Sequence, residues 1–514
     1  MSILKTAIRC AIATAAAGAA VNSASALDIS AYDASVVNVK ISGSTALDNT
    51  LVNTAIETAS PGGVCTAGTT DIYYIGTTGT YTNRMIFCSA SGDSGIAAGT
   101  KLAIFKESTV GSGNGVQPLS NASLNVATGV GFINPATISD ALCPTVNVVP
   151  ANGNFSTYTN HAGCPTSAVT VNDIPTLGVA DVEAAILQTA GGGAVSAANL
   201  KATPTLDQIW AVPLTKNAYY ALQAAEGFAS PSDLPANAPT LTHSEVTGLL
   251  SGDVFGWSQI GLAPADDTVY ICRRDKGSGS EASFEAYFSG ARCSLSSLNI
   301  PGEDGNVVFA NGSAGGVRSC LQNVFAGGNQ TEYYPPKAVH TFHAGGYGIG
   351  VLNGELTAAN LSSAGDSYRL IAVDGAGPLV ENVANGFYPY FSTGNGYQIV
   401  AGAHIPGGNV ALAGNQLLKL LGESAFVADS NKAYGSAPWT IANGTQLGDA
   451  SPAGHLPAPA VPATFATVAL NPVNAYSKST SGSINNCDTP VFDVTDYATT
   501  PVPSKLLGNG NVNN

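Results

Sequence analysis

The sequence predicts an α/β protein built as two lobes, on three observations. The chain has 514 residues, 45% apolar and 10% charged, which is enough for a large core and more than one lobe. A unit of strand, small polar loop and capped helix occurs twice, with a third copy that is partial. The cysteine count after a leader is even, which fits a chain exported to an oxidising compartment. Charge lies far below the ~25% of an average soluble domain while apolar content is ordinary, so the charge-rich, core-poor composition of a disordered chain is excluded.

The chain opens with a leader. Lys5 and Arg9 form a basic start, Cys10 to Val21 is an apolar run, and Ala24-Ser25-Ala26 is a small-x-small cleavage site. Residues 1–26 therefore read as a signal peptide, with the mature chain starting at Leu27. The apolar run is too short to span a bilayer, and no later stretch reaches about 18 uninterrupted apolar residues, so an exported, soluble product is expected, in the periplasm or outside the cell. The leader holds two cations and no acid, so its removal takes the formal net charge from −15 to −17. A chain this acidic, with no basic stripe, is not expected to bind nucleic acid.

Val36 to Ile41 alternates around Val and Ile as a strand does and runs into Ser42-Gly43-Ser44-Thr45. Leu47, Leu51, Val52, Ala55 and Ile56 then recur at helical spacing, with Thr45 and Asp48 matching a cap. The pattern returns at Val269 to Arg274, a strand that leads into Asp275-Lys276-Gly277-Ser278-Gly279-Ser280. Ser278 and Glu281 read as a capping box, followed by an apolar face of Phe284, Tyr287 and Phe288 and a stop at Gly290. The partial copy is the strand-like Lys101 to Lys106 followed by Gly111-Ser112-Gly113-Asn114-Gly115, where Pro118 weakens the prediction of a helix.

Between these units, stretches at about 59–100, 117–172 and 311–332 are rich in Gly, Ser, Thr and Asn and read as loop insertions or short irregular strands. Gly454 to Pro462 and the tail from Pro501 read as extended or mobile. The eight cysteines past the leader are Cys65, Cys88, Cys143, Cys164, Cys272, Cys293, Cys320 and Cys487. Similar separations pair 65 with 88, 143 with 164 and 272 with 293 as local loops, each worth roughly 3 kcal/mol, and leave 320 with 487 as a long-range staple. A metal site is the rival reading, but no C-x-x-C occurs.

Three loops that set hydroxyls and free backbone amides at helix starts suit an oxyanion, since the amides point outward and the helix dipole favours negative charge. A single such loop is usually only a cap. Arg274 on the strand leading in adds a guanidinium fork matched to a tetrahedral oxyanion.

The stretch Cys272 to Phe288 (CRRDKGSGSEASFEAYF) resembles the Arg-Arg-x-x-Gly-Ser-Gly-Thr segment of periplasmic phosphate-binding proteins, the substrate-binding components of phosphate ABC importers. Ile41 to Leu47 is similar to the family's first binding loop, Val110 to Leu119 to its second, and Leu177 to Glu183 to the segment carrying its binding aspartate. Val212 to Ala221, Ser251 to Ile260, Gly345 to Val351 and Asn385 to Tyr390 are similar to later landmarks, so the resemblance spans about 36 to 400. It implies a two-lobed, type 2 periplasmic-binding-protein-like fold with a two-strand hinge. Lobe one would take 27–221, lobe two 222–387, and 388–514 would return to lobe one and extend beyond it. It also implies that Thr45 and Ser112 from lobe one, and Arg274, Ser278, Gly279 and Ser280 from lobe two, hold inorganic phosphate. Asp181 would accept a proton from phosphate and repel fully ionised sulfate.

The departures are Lys276 where the family often has an acid, Ser280 for the final Thr, and the long material between Ser112 and Asp181. Lys276 either adds a cation to the site or faces solvent. The resulting expectation is a monomeric, non-enzymatic binding protein without cofactor or metal that delivers its anion to an importer permease. The competing reading is a secreted or surface structural protein on the same scaffold. A phosphate-ester hydrolase lacks a nameable nucleophile. Gly92-Asp93-Ser94-Gly95 has the letters of a serine-protease loop but no matching His motif, and His340 with His343 alone make a weak metal pair.

Overall fold

In the computed structural model, residues 27–421 are described apart from breaks, the longest at 145–157, 289–305 and 354–366, together with a few short strands after 440. The leader, Gly290, Cys293, Cys487 and the tail from Pro501 lie outside the described residues. The fold is α/β, on two main sheets with five two-stranded ribbons among the described residues. No helix among the described residues is long and apolar enough to cross a membrane.

The larger sheet has ten strands. Its order is Leu352–Asn353, Leu200–Ala211, Phe391–Ile399, Leu177–Ala180, Val37–Gly43, Lys101–Glu107, Asn83–Ser89, Thr70–Ile75 and Tyr158–Cys164, and His455–Pro457 also pairs with Leu200–Ala211. Val37–Gly43 sits at its heart, parallel to Lys101–Glu107 and to Leu177–Ala180. Val39, Ile41, Leu102 and Ile104 are fully buried, as central parallel strands require. Helix Gly408–Leu421 covers this region with Leu417, Leu420 and Leu421.

The smaller sheet runs Val307–Asn311, Tyr270–Arg274, Gly348–Gly350, Pro213–Thr215, Tyr368–Leu370. Tyr270–Arg274 is parallel to both of its neighbours. Its core gathers Trp257, Ile271, Phe284, Phe309 and Leu321, with helix Ala314–Ala326 laid on the strands.

Two of the chain's passages between the sheets have little slack. Only Val212 separates Leu200–Ala211 of the large sheet from Pro213–Thr215 of the small one, and only Val351 separates Gly348–Gly350 from Leu352–Asn353. The two crossovers are neighbours, because Leu352 pairs with Ala211 and Asn353 with Trp210.

Both sequence-predicted strand units are present. Asp48, Leu51, Val52 and Ala55 are helical after the first strand, while Ile56 lies outside the described residues. The partial copy is helical too: Ser112–Gly115 forms a 3-10 turn and Gln117–Ser123 a helix with Pro118 in its first turn, where the missing N–H costs nothing. The capping box at Ser278 is not formed. Glu281 ion-pairs with Arg273 instead, and the Ser278 hydroxyl lies 2.8 Å from that of Ser280. A buried cation outcompetes a local backbone amide for the carboxylate.

The polar stretches hold more regular structure than loops. Thr70–Ile75 and Asn83–Ser89 are buried strands of the large sheet, and Tyr158–Cys164 extends it. The Cys65–Cys88 and Cys143–Cys164 disulfides brace this region as expected. The other two pairings are overturned, because Cys272 is bonded to Cys320 and so is available neither to Cys293 nor, in turn, is Cys320 to Cys487. Cys272 sits inside strand Tyr270–Arg274 and Cys320 on the helix packed over it, with Cα atoms 5.8 Å apart. Proximity across the layer, which sequence spacing does not encode, decides the partner.

Candidate functional site

Three strand ends from each sheet meet at one place. From the large sheet come the residues after Val37–Gly43, Lys101–Glu107 and Leu177–Ala180, and from the small sheet those after Tyr270–Arg274, Val307–Asn311 and Gly348–Gly350. The carboxyl ends of parallel strands are where open α/β sheets leave room for ligands, since the chain must splay there to reach its crossovers. Here a cleft of about 250 Å³, including the part open to solvent, is lined by Thr45, Asp181, Arg274 and Ser280, and also by Trp210, Ala314, Val351 and Leu352.

Asp181 is the centre of the large-sheet side. Ser44 donates to its Oδ1 and Ser112 to its Oδ2 at 2.8 Å, while the Asp181 amide donates to Ser112 Oγ at 3.0 Å. Ser392 donates to the Asp181 carbonyl at 2.7 Å. The carboxylate is 5% exposed and held from three strands at once, so its position is set by the sheet rather than by one loop.

Arg274 is the centre of the small-sheet side and is 4% exposed. Nε donates to the Asn311 carbonyl at 3.0 Å and Nη2 to the Gly312 carbonyl at 2.9 Å. Two of the five N–H donors of the guanidinium thus fix its plane and three remain. Burial lowers its pKa, and Asp275, Asp181 and Glu281 oppose that shift.

The two sides touch directly. The Gly113 amide donates to the Gly277 carbonyl at 2.9 Å. At Gly279 an added Cβ would lie 2.4 Å from Ser112 Oγ and 2.6 Å from Asp181 Oδ2, so only glycine lets helix Gly279–Phe288 start against the aspartate. Of the sequence-predicted residues, Thr45, Asp181, Arg274 and Ser280 line the cleft, Ser112 holds Asp181, Gly279 abuts both, and Ser278 meets Ser280. All seven are brought together.

Lys276 is half-buried, and its side chain lies against Gly192 rather than entering the cleft lining. Ser94 hydrogen-bonds locally to the Ile96 amide, and His340 packs among Tyr270, Phe309 and Phe342. No group of three or more metal-ligating side chains occurs among the described residues.

Residues that sequence reasoning missed are Ser44, within the quoted loop, and Trp210, Ala314, Val351 and Leu352. The last four carry no chemistry to flag them. Also missed was the buried layer behind the loops. Lys106 donates to the Gly43 carbonyl, the Glu107 carbonyl and Ser108 Oγ at 2.9, 2.7 and 2.7 Å, with Asp48 3.1 Å away. Behind Arg274, Arg273 pairs with Glu281, and Glu285 lies one turn further along the helix. Burial and then the neighbouring Glu281 push the Glu285 carboxyl up to about 8.

No family model matches the sequence, and no curated protein matches it. Among solved structures, similarity is found to a phosphate ABC transporter substrate-binding protein with bound phosphate from Clostridium perfringens, at 13% identity over 80% of this chain and 99% of that one, TM-score 0.38. PstS from Borrelia burgdorferi is 13% identical over 71% of this chain and 86% of its own, TM-score 0.29. An ABC-type phosphate transport receptor from Vibrio cholerae is 12% identical over 48% and 79%, TM-score 0.28.

Proposed function

We propose that the chain is an exported, non-enzymatic binding protein that captures inorganic phosphate, or a similar oxyanion, between its two sheets and passes it to a membrane importer. The observation that carries this reading is the convergence of six strand ends on one buried guanidinium and one buried carboxylate. The lobes would be about 27–212, with added material at about 59–100 and 117–172, then about 213–387, with 388–514 returning to the first; the boundary read at 221 falls inside helix Lys216–Ala225, which packs in the small-sheet core. The neighbouring crossovers at Val212 and Val351 would be the hinge.

The chemistry follows from donors and charge. The three spare N–H groups of Arg274, the hydroxyls of Thr45 and Ser280, and the free amides at the start of helix Gly279–Phe288 all favour an anion. Asp181, already accepting two hydroxyl donors, can accept one more proton from a protonated phosphate oxygen. Fully ionised sulfate has none to give and meets repulsion instead. Affinity would come from preorganised hydrogen bonds, since the chain's net charge of −15 does not attract anions.

Calorimetric titration of phosphate into anion-stripped protein, with sulfate and arsenate as competitors, tests this. The expected result is micromolar or tighter phosphate binding, about 8 kcal/mol or more, lost in Arg274→Ala and with weak sulfate competition that strengthens in Asp181→Asn. No heat and no thermal stabilisation at millimolar phosphate would overturn the reading.

A further inference from the structure

The cleft is lined by a polar set of side chains, Thr45, Asp181, Arg274 and Ser280, and by an apolar set. Trp210, Val351 and Leu352, each 1% exposed, come from the two crossovers and with Ala314 make up the apolar set, the floor of the cleft for a bound ligand. None of the polar atoms of Trp210 is left for a ligand. Its indole N–H donates to Ser392 Oγ at 2.7 Å, its amide to the Tyr390 carbonyl at 3.1 Å, and its carbonyl accepts from Tyr388 at 2.7 Å. Leu352 is in ladder register with Ala211, and neither Val351 nor Leu352 has a side-chain donor.

A tetrahedral anion with four oxygens would have to press one of them onto this floor or leave the floor unused. An oxygen against these side chains loses its water and finds no side-chain donor, whereas a carbon there is favourably buried. On the oxyanion reading of the site, we propose that its ligand class is the alkylphosphonate, three oxygens on the walls of Thr45, Asp181, Arg274 and Ser280 and the carbon on the floor. Methylphosphonate has the same heavy-atom count as phosphate, so room in the cleft does not decide between them. The chemistry of the fourth vertex does.

The test is titration of the full mature chain with phosphate and with methylphosphonate, repeated on Val351→Thr, which keeps the branched shape and adds a hydroxyl to the floor. Methylphosphonate is expected to bind about ten-fold more tightly than phosphate, and Val351→Thr to erase most of that ratio. Thermal melts check that the variant is folded. If phosphate binds the native chain more tightly than methylphosphonate, or if a folded Val351→Thr leaves the ratio unchanged, the substituent inference falls and the oxyanion reading stands. If neither ligand binds, both fall.

Discussion

Both halves of the molecule bury charge directly behind the cleft, and they differ in how Lys106 on one side and the Arg273–Glu281 pair on the other are satisfied. In the large-sheet half, Lys106 has Asp48, Ser108 and two carbonyls around it, and Glu107 accepts from the Thr109 amide at 2.6 Å and from Asn114 at 2.8 Å. In the small-sheet half, Arg273 faces Glu281, whose Oε2 is buried with no hydrogen-bond partner, while Glu285 presses a second carboxyl into the same region. Arg274, Asp275 and Lys276 also act on these two glutamates. A cation whose donors are taken up by carbonyls and a hydroxyl, as at Lys106, holds its loop in place. Two acids sharing one close cation leave a helix start that titrates there.

The comparison breaks most readily at the cations. Lys106→Met should cost about 3–5 kcal/mol by urea unfolding at pH 5 and pH 8 alike, because Asp48 loses its nearer cation, keeping only Arg84 at 3.6 Å and the Ser108 hydroxyl, and two buried carbonyls lose their donor. Arg273→Met should cost a similar amount at pH 8 and clearly less at pH 5, where Glu281 and Glu285 can take protons; equal losses at both pH values would show that the halves do not differ. The disulfides sharpen it next. Removing Cys272–Cys320 as a Ser pair opens a loop of 48 residues and should cost about 4 kcal/mol, against roughly 3 for the 23-residue loop of Cys65–Cys88. A reversed order would place more of the stability in the large-sheet half.

The smallest effect is a slope. The folded carboxyl of Glu285 titrates near 8 against an ordinary 4.5, so between those values the folded state binds more protons than the unfolded one. Stability must then fall as pH rises through that window, by up to about 1.4 kcal/mol per pH unit. Glu285→Gln should flatten the native slope and raise stability at pH 8, and a profile identical to the native one would show that Glu285 ionises freely.

Much of the site was legible because its residues cluster in short polar loops between alternating strands. Ser42 to Thr45, Gly111 to Gly115 and Asp275 to Ser280 each announce a turn, and Arg274 precedes one of them. Strands Thr70–Ile75 and Asn83–Ser89 were obscured because short apolar runs such as IYYI and MIF sit inside Gly- and Thr-rich flanks, whose composition outweighs them in any window. The partners of Cys272 and Glu281 were not legible, since both are chosen by contacts between layers. The floor of the cleft was hidden for the same reason. Trp210 and Leu352 lie far apart in the chain and become neighbours only when two crossover strands pair.

That crossover pairing also orders the events by which the chain matures. All five strands of the small sheet lie between 213 and 370, so that half has its sheet complete once residue 370 has emerged. The large sheet begins at Val37 yet cannot close until much later, because Phe391–Ile399 inserts between Leu177–Ala180 and Leu200–Ala211. Until then Leu177–Ala180 and Leu200–Ala211 face an empty slot with unpaired backbone edges, a template for wrong partners. The slow, long-range step of assembly therefore belongs to the half that was translated first, and the backbone carbonyl of Asp181 receives its Ser392 hydroxyl only after nearly four hundred residues of chain are in hand.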